Sequence, residues 1–175
     1  MEVFLEVLQY TIPSLIVLVF TLIIVRWFLK SENDRRKQEL LLSQNRDSLP
    51  LRIAAYERLT LFLERISAES IIVREQPSAR TVKDFQAILL SSIRTEYEHN
   101  MAMQVHLPTS TWQLVRNAKE EMIRTVNISA GIVKPTDPSI ALGKTILEQY
   151  PNGAAYHVKR ALDALKNDVQ SFYNI

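Results

Sequence analysis

Cysteine is absent from the 175 residues, which excludes disulfides and thiolate metal sites and fits a chain that works in a reducing compartment. Only three glycines occur, too few for loops whose bare backbone wraps phosphate. None of the GxxxxGK[ST], GxGxxG, GxSxG or HExxH patterns is found. No charge of one sign dominates either: the net charge is +2, with acids and bases interspersed. A clustered basic face for nucleic acid is therefore not expected. No catalytic signature is found, so no enzyme, cofactor or metal is expected.

What the chain does have is one long apolar run. From Val7 to Val25 there are nineteen residues without a charge, about 28 Å as a helix, close to the ~30 Å hydrocarbon core of a bilayer. Glu2 and Glu6 precede it; Arg26, Lys30, Arg35, Arg36 and Lys37 follow. By the positive-inside rule this reads as a single transmembrane helix, uncleaved, with the N-terminus outside and the rest cytoplasmic. In a bacterium the location would be the inner membrane, with the lipid bilayer as one partner. Arg26, Trp27, Phe28 and Lys30 would sit at the membrane interface. Thr11, Ser14, Leu18, Thr21 and Val25 share one helical face and could pack on another span. Alternatively, the hydroxyls bond their own backbone. Pro13 is a candidate bend.

After the run, residues 31–48 are highly charged and read as a helical stalk, stopped at Asp47-Ser48-Leu49-Pro50. The division expected is therefore 1–30 anchor, 31–48 stalk and 49–175 helical domain. No period-two alternation appears, so the fold class is all-α: a transmembrane helix and stalk followed by an antiparallel bundle of about five helices. The first bundle helix, about 50–67, carries a stripe of Leu51, Ala55, Tyr56, Leu59, Phe62, Leu63 and Ile66. Ile53 and Leu61 fall off that stripe, and a second apolar face makes them candidate partner-docking residues. Residues 67–78 read as a connector ending at Pro77. Thr81-x-x-Asp84 resembles a capping box for a helix over about 80–105. Pro108 opens a third helix to about 131, Lys134–Pro138 breaks the chain and caps a fourth, and Pro151-Asn152-Gly153 turns into a fifth. That last helix directs Ala154, Val158, Ala161, Leu162, Leu165, Val169 and Phe172 inward.

One constellation is unusual. The inward stripe Val82, Phe85, Leu89, Ile93 continues onto Glu96 and Asn100, flanked by His99. Lys119 interrupts the inward stripe Trp112, Val115, Met122, Ile123, Val126. If the two helices form an antiparallel hairpin, Ile93 faces Met122, Leu89 faces Val126, Glu96 faces Lys119 and His99 faces Arg116. A buried Glu96–Lys119 ion pair fixing register is the plain interpretation; a ligand site at Glu96, His99, Asn100, Arg116 and Lys119 is the alternative. Glu96-Tyr97-Glu98-His99 has the Glu-x-x-His spacing of di-iron bundles, but no second copy exists to complete such a site.

Leu49-Pro50-Leu51-Arg52 running into Ala55-Tyr56-Glu57-Arg58 and Leu61–Ile66, with Ile93-Arg94, Glu98-His99-Asn100 and Trp112 through Glu120, resembles an uncharacterised family of Gram-negative bacterial proteins. That resemblance implies one N-terminal span, a helical cytoplasmic domain and no assigned activity. The function expected is an interaction or accessory subunit of a larger inner-membrane assembly. Its helical domain would bind a protein partner, or the chain would form a homo-oligomer. A ligand sensor or enzyme built on Glu96, His99 and Lys119 is the alternative.

Overall fold

The computed structural model describes the backbone of residues 2–172 and the side chains of 15–37 and 48–172. Six α-helices run through the described residues: α1 (Glu2–Ile66), α2 (Ala68–Glu75), α3 (Val82–Asn100), α4 (Thr109–Ile132), α5 (Ser139–Gln149) and α6 (Ala154–Ser171). Short 3-10 turns occupy Gln76–Ser78, Met101–His106 and Tyr150–Asn152. The all-α expectation holds. The chain divides into two compact units, residues 1–49 and 50–175.

In the first unit the expected membrane span is overturned. Among the described residues, no helix is long and apolar enough to cross a membrane. The uncharged stretch of α1 ends at Val25. Arg26, Lys30, Glu32, Asp34 and Arg35 follow within the next turns. The single-pass anchor, the inner-membrane location with the N-terminus outside, and the membrane keywords fall with it. The bilayer partner and the role of Arg26, Trp27, Phe28 and Lys30 as interface anchors are expectations argued from that span. Thr21 Oγ1 donates to Val17 O at 2.7 Å, bonding its own backbone, and Leu18 is exposed. The side chains of Thr11, Pro13 and Ser14 lie outside the described residues.

The stop expected at Asp47–Pro50 is also absent, since α1 continues to Ile66. Pro50 is exposed, so the one carbonyl it deprives of a donor can be hydrated. The helix ends instead at Ser67, whose backbone leaves the helical region (φ −56°, ψ 147°) and whose Oγ donates to Glu64 O at 2.7 Å. Part of the expected connector is helical: α2 buries Ala68, Ile71 and Ile72.

In the second unit, residues 50–66 of α1 bury Ala55, Tyr56, Leu59, Phe62, Leu63 and Ile66. Leu51 does not join them and is 63% exposed. α3 buries Val82, Phe85, Leu89 and Ile93; α4 buries Trp112, Val115, Met122 and Val126, with Ile123 half-buried. α4 packs against α3, α5 and α6. α3 and α4 pair close to the expected register: Gln86 Nε2 donates to Asn127 Oδ1 at 3.0 Å, and Lys119 reaches Tyr97.

The segments that open α3 and α5 are stitched together. Thr81 and Pro138 form an antiparallel bridge, and Val82 N–H and Lys83 N–H donate to Asp137 O and Pro135 O at 2.9 and 3.1 Å. These bonds satisfy amides that a helix leaves without internal acceptors. Asp137 itself holds the turn, its Oδ2 accepting from Lys134 N–H at 3.2 Å, rather than capping α5. Thr81 Oγ1 accepts from Asp84 N–H at 3.2 Å and donates to Asp84 Oδ2 at 2.7 Å, completing the expected cap. Thr81→Ala is expected to lower unfolding free energy by about 1 kcal/mol, read as a shifted urea midpoint at constant slope.

Candidate functional site

The polar cluster is rearranged relative to the sequence expectation. Glu96 does not pair with Lys119: its Oε1 meets Arg65 Nη2 at 2.7 Å. Arg65 lies at the end of α1, so the pair ties α1 to α3, and Arg65 O accepts from Arg74 Nη1 at 3.3 Å. Lys119 Nζ pairs with its neighbour Glu120 at 2.6 Å and lies 4.5 Å from the centroid of the Tyr97 ring. An aromatic face is a favourable seat for a half-buried ammonium. Tyr97 also stacks on Trp112, ring centroids 5.5 Å apart, and meets Phe62 at 6.0 Å. Burial pushes the Tyr97 hydroxyl pKa up; Arg116 opposes the shift and Glu120 adds to it.

The physical reason for the exchange is the aromatic wedge. Tyr97, one residue beyond Glu96, fills the space facing Lys119, and Glu96 turns toward the Arg65 guanidinium. Asn100 is buried and donates Nδ2–H to Glu96 O at 2.8 Å, a bond inside its own helix. His99 and Arg116 are exposed. The Glu96–Lys119 ion pair expected from the sequence is thus replaced by two others. Among the described residues no group of three His, Asp or Glu could hold a metal ion.

A second polar centre was not anticipated. Asp168 Oδ2 accepts from Thr111 Oγ1 at 2.6 Å and from the Tyr56 hydroxyl at 3.2 Å, joining α6, α4 and α1 in the interior. Tyr56 and Thr111 are almost fully buried. The Tyr56 pKa is pushed up to about 12, by burial first and then by the Asp168 carboxylate. The signal was present in the sequence: Asp168 falls three residues after Leu165, on the inward stripe of α6. Arg52 completes the surroundings, its guanidinium 4.1 Å from the Phe172 ring centroid, while Phe172 meets Tyr56 edge to face at 5.5 Å. Asp168 itself is half-buried, and its two hydrogen bonds tie three helices together.

The open feature lies beside it. α1 and α6 run antiparallel, as Arg52 meeting Phe172 and Tyr56 meeting Asp168 require, and a groove of about 610 Å³ separates their outer edges. Ile53, Leu61, Leu165 and Val169 supply apolar wall and Tyr56 lies at its base; Glu57, Glu64 and Lys166 stand along it. Ile53 and Leu61, the two residues that fell off the core stripe, both line this groove. Ile53 is half-buried and Leu61 is 57% exposed. Leu165 and Val169, expected to face the core, serve the groove as well, because residues on adjoining faces of α6 border both.

The family model described as a family of unknown function (DUF7935) matches residues 2–172. The chain belongs to that family. Membership covers both units and carries no assigned activity. Comparison with curated proteins and with solved structures finds no match. The geometry of the groove is therefore the main guide to what this member does.

Proposed function

We propose that the chain is an interaction module, an accessory subunit that docks a helix in the α1/α6 groove. One observation carries this reading: the groove is walled by Ile53, Leu61, Leu165 and Val169 yet stays open in the folded second unit. A helix laid in an apolar groove is a common mode of recognition, with side chains at three- and four-residue spacing as anchors. The enzyme or sensor alternative has less to carry it, because Glu96 pairs with Arg65 and Lys119 with Glu120.

A photo-crosslinking side chain placed at Leu61 tests the reading. Ile140, 65% exposed on α5 and outside the groove, is the control position. Irradiated cells are expected to give a discrete adduct from position 61 and none from 140. No adduct at 61, or equal labelling at both sites, overturns the proposal. The Gram-negative origin implied by the sequence resemblance makes a bacterial host the natural setting.

A further inference from the structure

We infer, building on the docking role of the groove, that its occupant is a second copy of this chain. Complementarity of charge across the two rims leads to this. Glu57 and Glu64 stand seven residues apart on the α1 rim, and Lys159 and Lys166 stand seven apart on α6. Each pair spans about 10 Å along its helix. All four side chains are exposed, and none makes an ion pair among the described residues.

An α1 rim carrying Glu57 and Glu64 and an α6 rim carrying Lys159 and Lys166, with Asp163 between the lysines, make a face that complements itself at its two outer levels. A two-fold axis parallel to the helices lays α1 of one copy over α6 of the other and keeps every residue at its own level along the axis. Tyr56 lies level with Asp168 and Phe172 and Arg52 with Phe172, so on the antiparallel α6 Lys166 lies near the level of Glu57 and Lys159 near that of Glu64. The two-fold therefore brings Glu57 of each copy to Lys166 of the other, and Glu64 to Lys159, each twice, as an isologous interface demands. Leu61 of each copy enters the apolar groove of the other, and the product is a four-helix layer packed two on two. A foreign helix would have to match both rims, whereas a second copy does so by symmetry.

The size of the face sets its strength. Residues 50–66 span about 25 Å, and two helices side by side are about 20 Å wide, giving roughly 500 Å² per copy. About 1,000 Å² in total lies at the weak end of specific interfaces, so the dimer is concentration-dependent rather than permanent.

Sedimentation of the full chain across the micromolar range, with charge-reversed variants, tests this. The wild-type chain is expected to dimerise, and Glu57→Lys and Lys166→Glu each to weaken dimerisation about tenfold or more, since symmetry breaks two pairs at once. Mixing the two variants restores the opposite charges at both contacts, so a heterodimer is expected to form, and the Glu57→Lys/Lys166→Glu double variant is expected to dimerise again. Helical content and melting of each variant confirm that the fold is kept. A wild-type monomer at about 100 μM, or a dimer indifferent to both reversals, overturns the inference. The crosslink at Leu61 separates the two levels of the reading. An adduct of twice the chain's mass supports the second copy. An adduct of any other mass overturns the second copy and leaves helix docking standing, and no adduct overturns both.

Discussion

Phe85→Ala is expected to lower the unfolding free energy by about 3–5 kcal/mol, the largest effect of any single truncation considered. Phe85 is fully buried on α3 and lies where α5 crosses close to α2 and α3. That closeness depends on Gly143 of α5. A Cβ built there would stand 3.3 Å from Ile72 Cγ2 and 3.7 Å from Phe85 Cε1. Removing the ring leaves a cavity that three helices cannot close without giving up other contacts. Gly143→Leu in the intact protein has nowhere to go, and is expected to destabilise by about 1–3 kcal/mol. Combined with Phe85→Ala, the new side chain enters the vacated space, so the two costs are expected to be less than additive by about 1 kcal/mol or more. Urea denaturation of the four members of the cycle measures this. Strict additivity would show that α5 does not rest on Phe85.

Asp168→Ala is expected to cost about 3 kcal/mol, because it removes two hydrogen bonds to a carboxylate and leaves the Thr111 and Tyr56 hydroxyls dry. Adding Tyr56→Phe and Thr111→Val should recover most of the loss, since an apolar trio strands no donor. The same centre predicts an alkaline signature. The Tyr56 phenol has a pKa of 10.0 in an unfolded chain and about 12 here. Below pH 10 both states keep the proton and nothing changes. Between those two values the unfolded tyrosine ionises while the buried one stays neutral, so stability falls as pH rises. Each tenfold difference in proton affinity is about 1.4 kcal/mol, so the loss approaches roughly 3 kcal/mol once the folded pKa is passed. Tyr56→Phe should flatten that limb of the stability curve. A limb unchanged in the variant would place the alkaline loss elsewhere.

The two centres also show what a sequence can and cannot reveal. The helices of the second unit were legible because their apolar residues recur at three and four. Val82, Phe85, Leu89 and Ile93 follow that spacing, and all four are buried. The Thr81 cap was legible because capping is local, settled within four residues of one helix end. Ile53 and Leu61 could be singled out as apolar positions off the core stripe, but the groove they line needs α6, more than a hundred residues later in the chain.

The polar cluster marks the limit. Placing Glu96 and Lys119 opposite one another was a matter of helical phase, and phase is local. Which partner each selected was not. Arg65 arrives from α1 and Tyr97 takes the space before Lys119, and neither follows from the α3/α4 hairpin alone. Likewise the uncharged run from Val7 met a length criterion. That criterion does not suffice, since no helix among the described residues is long and apolar enough to cross a membrane.

The sequence by itself determined the helical class of this protein, the phase of each buried stripe and the cap that starts α3, because these depend on neighbours within one or two turns. Tertiary structure alone decided that Glu96 meets Arg65, that Asp168 gathers Tyr56 and Thr111, and that α1 and α6 leave a groove between acidic and basic rims. Those outcomes depend on which helices lie side by side, and side-chain competition at such junctions is settled only when all of them are in place.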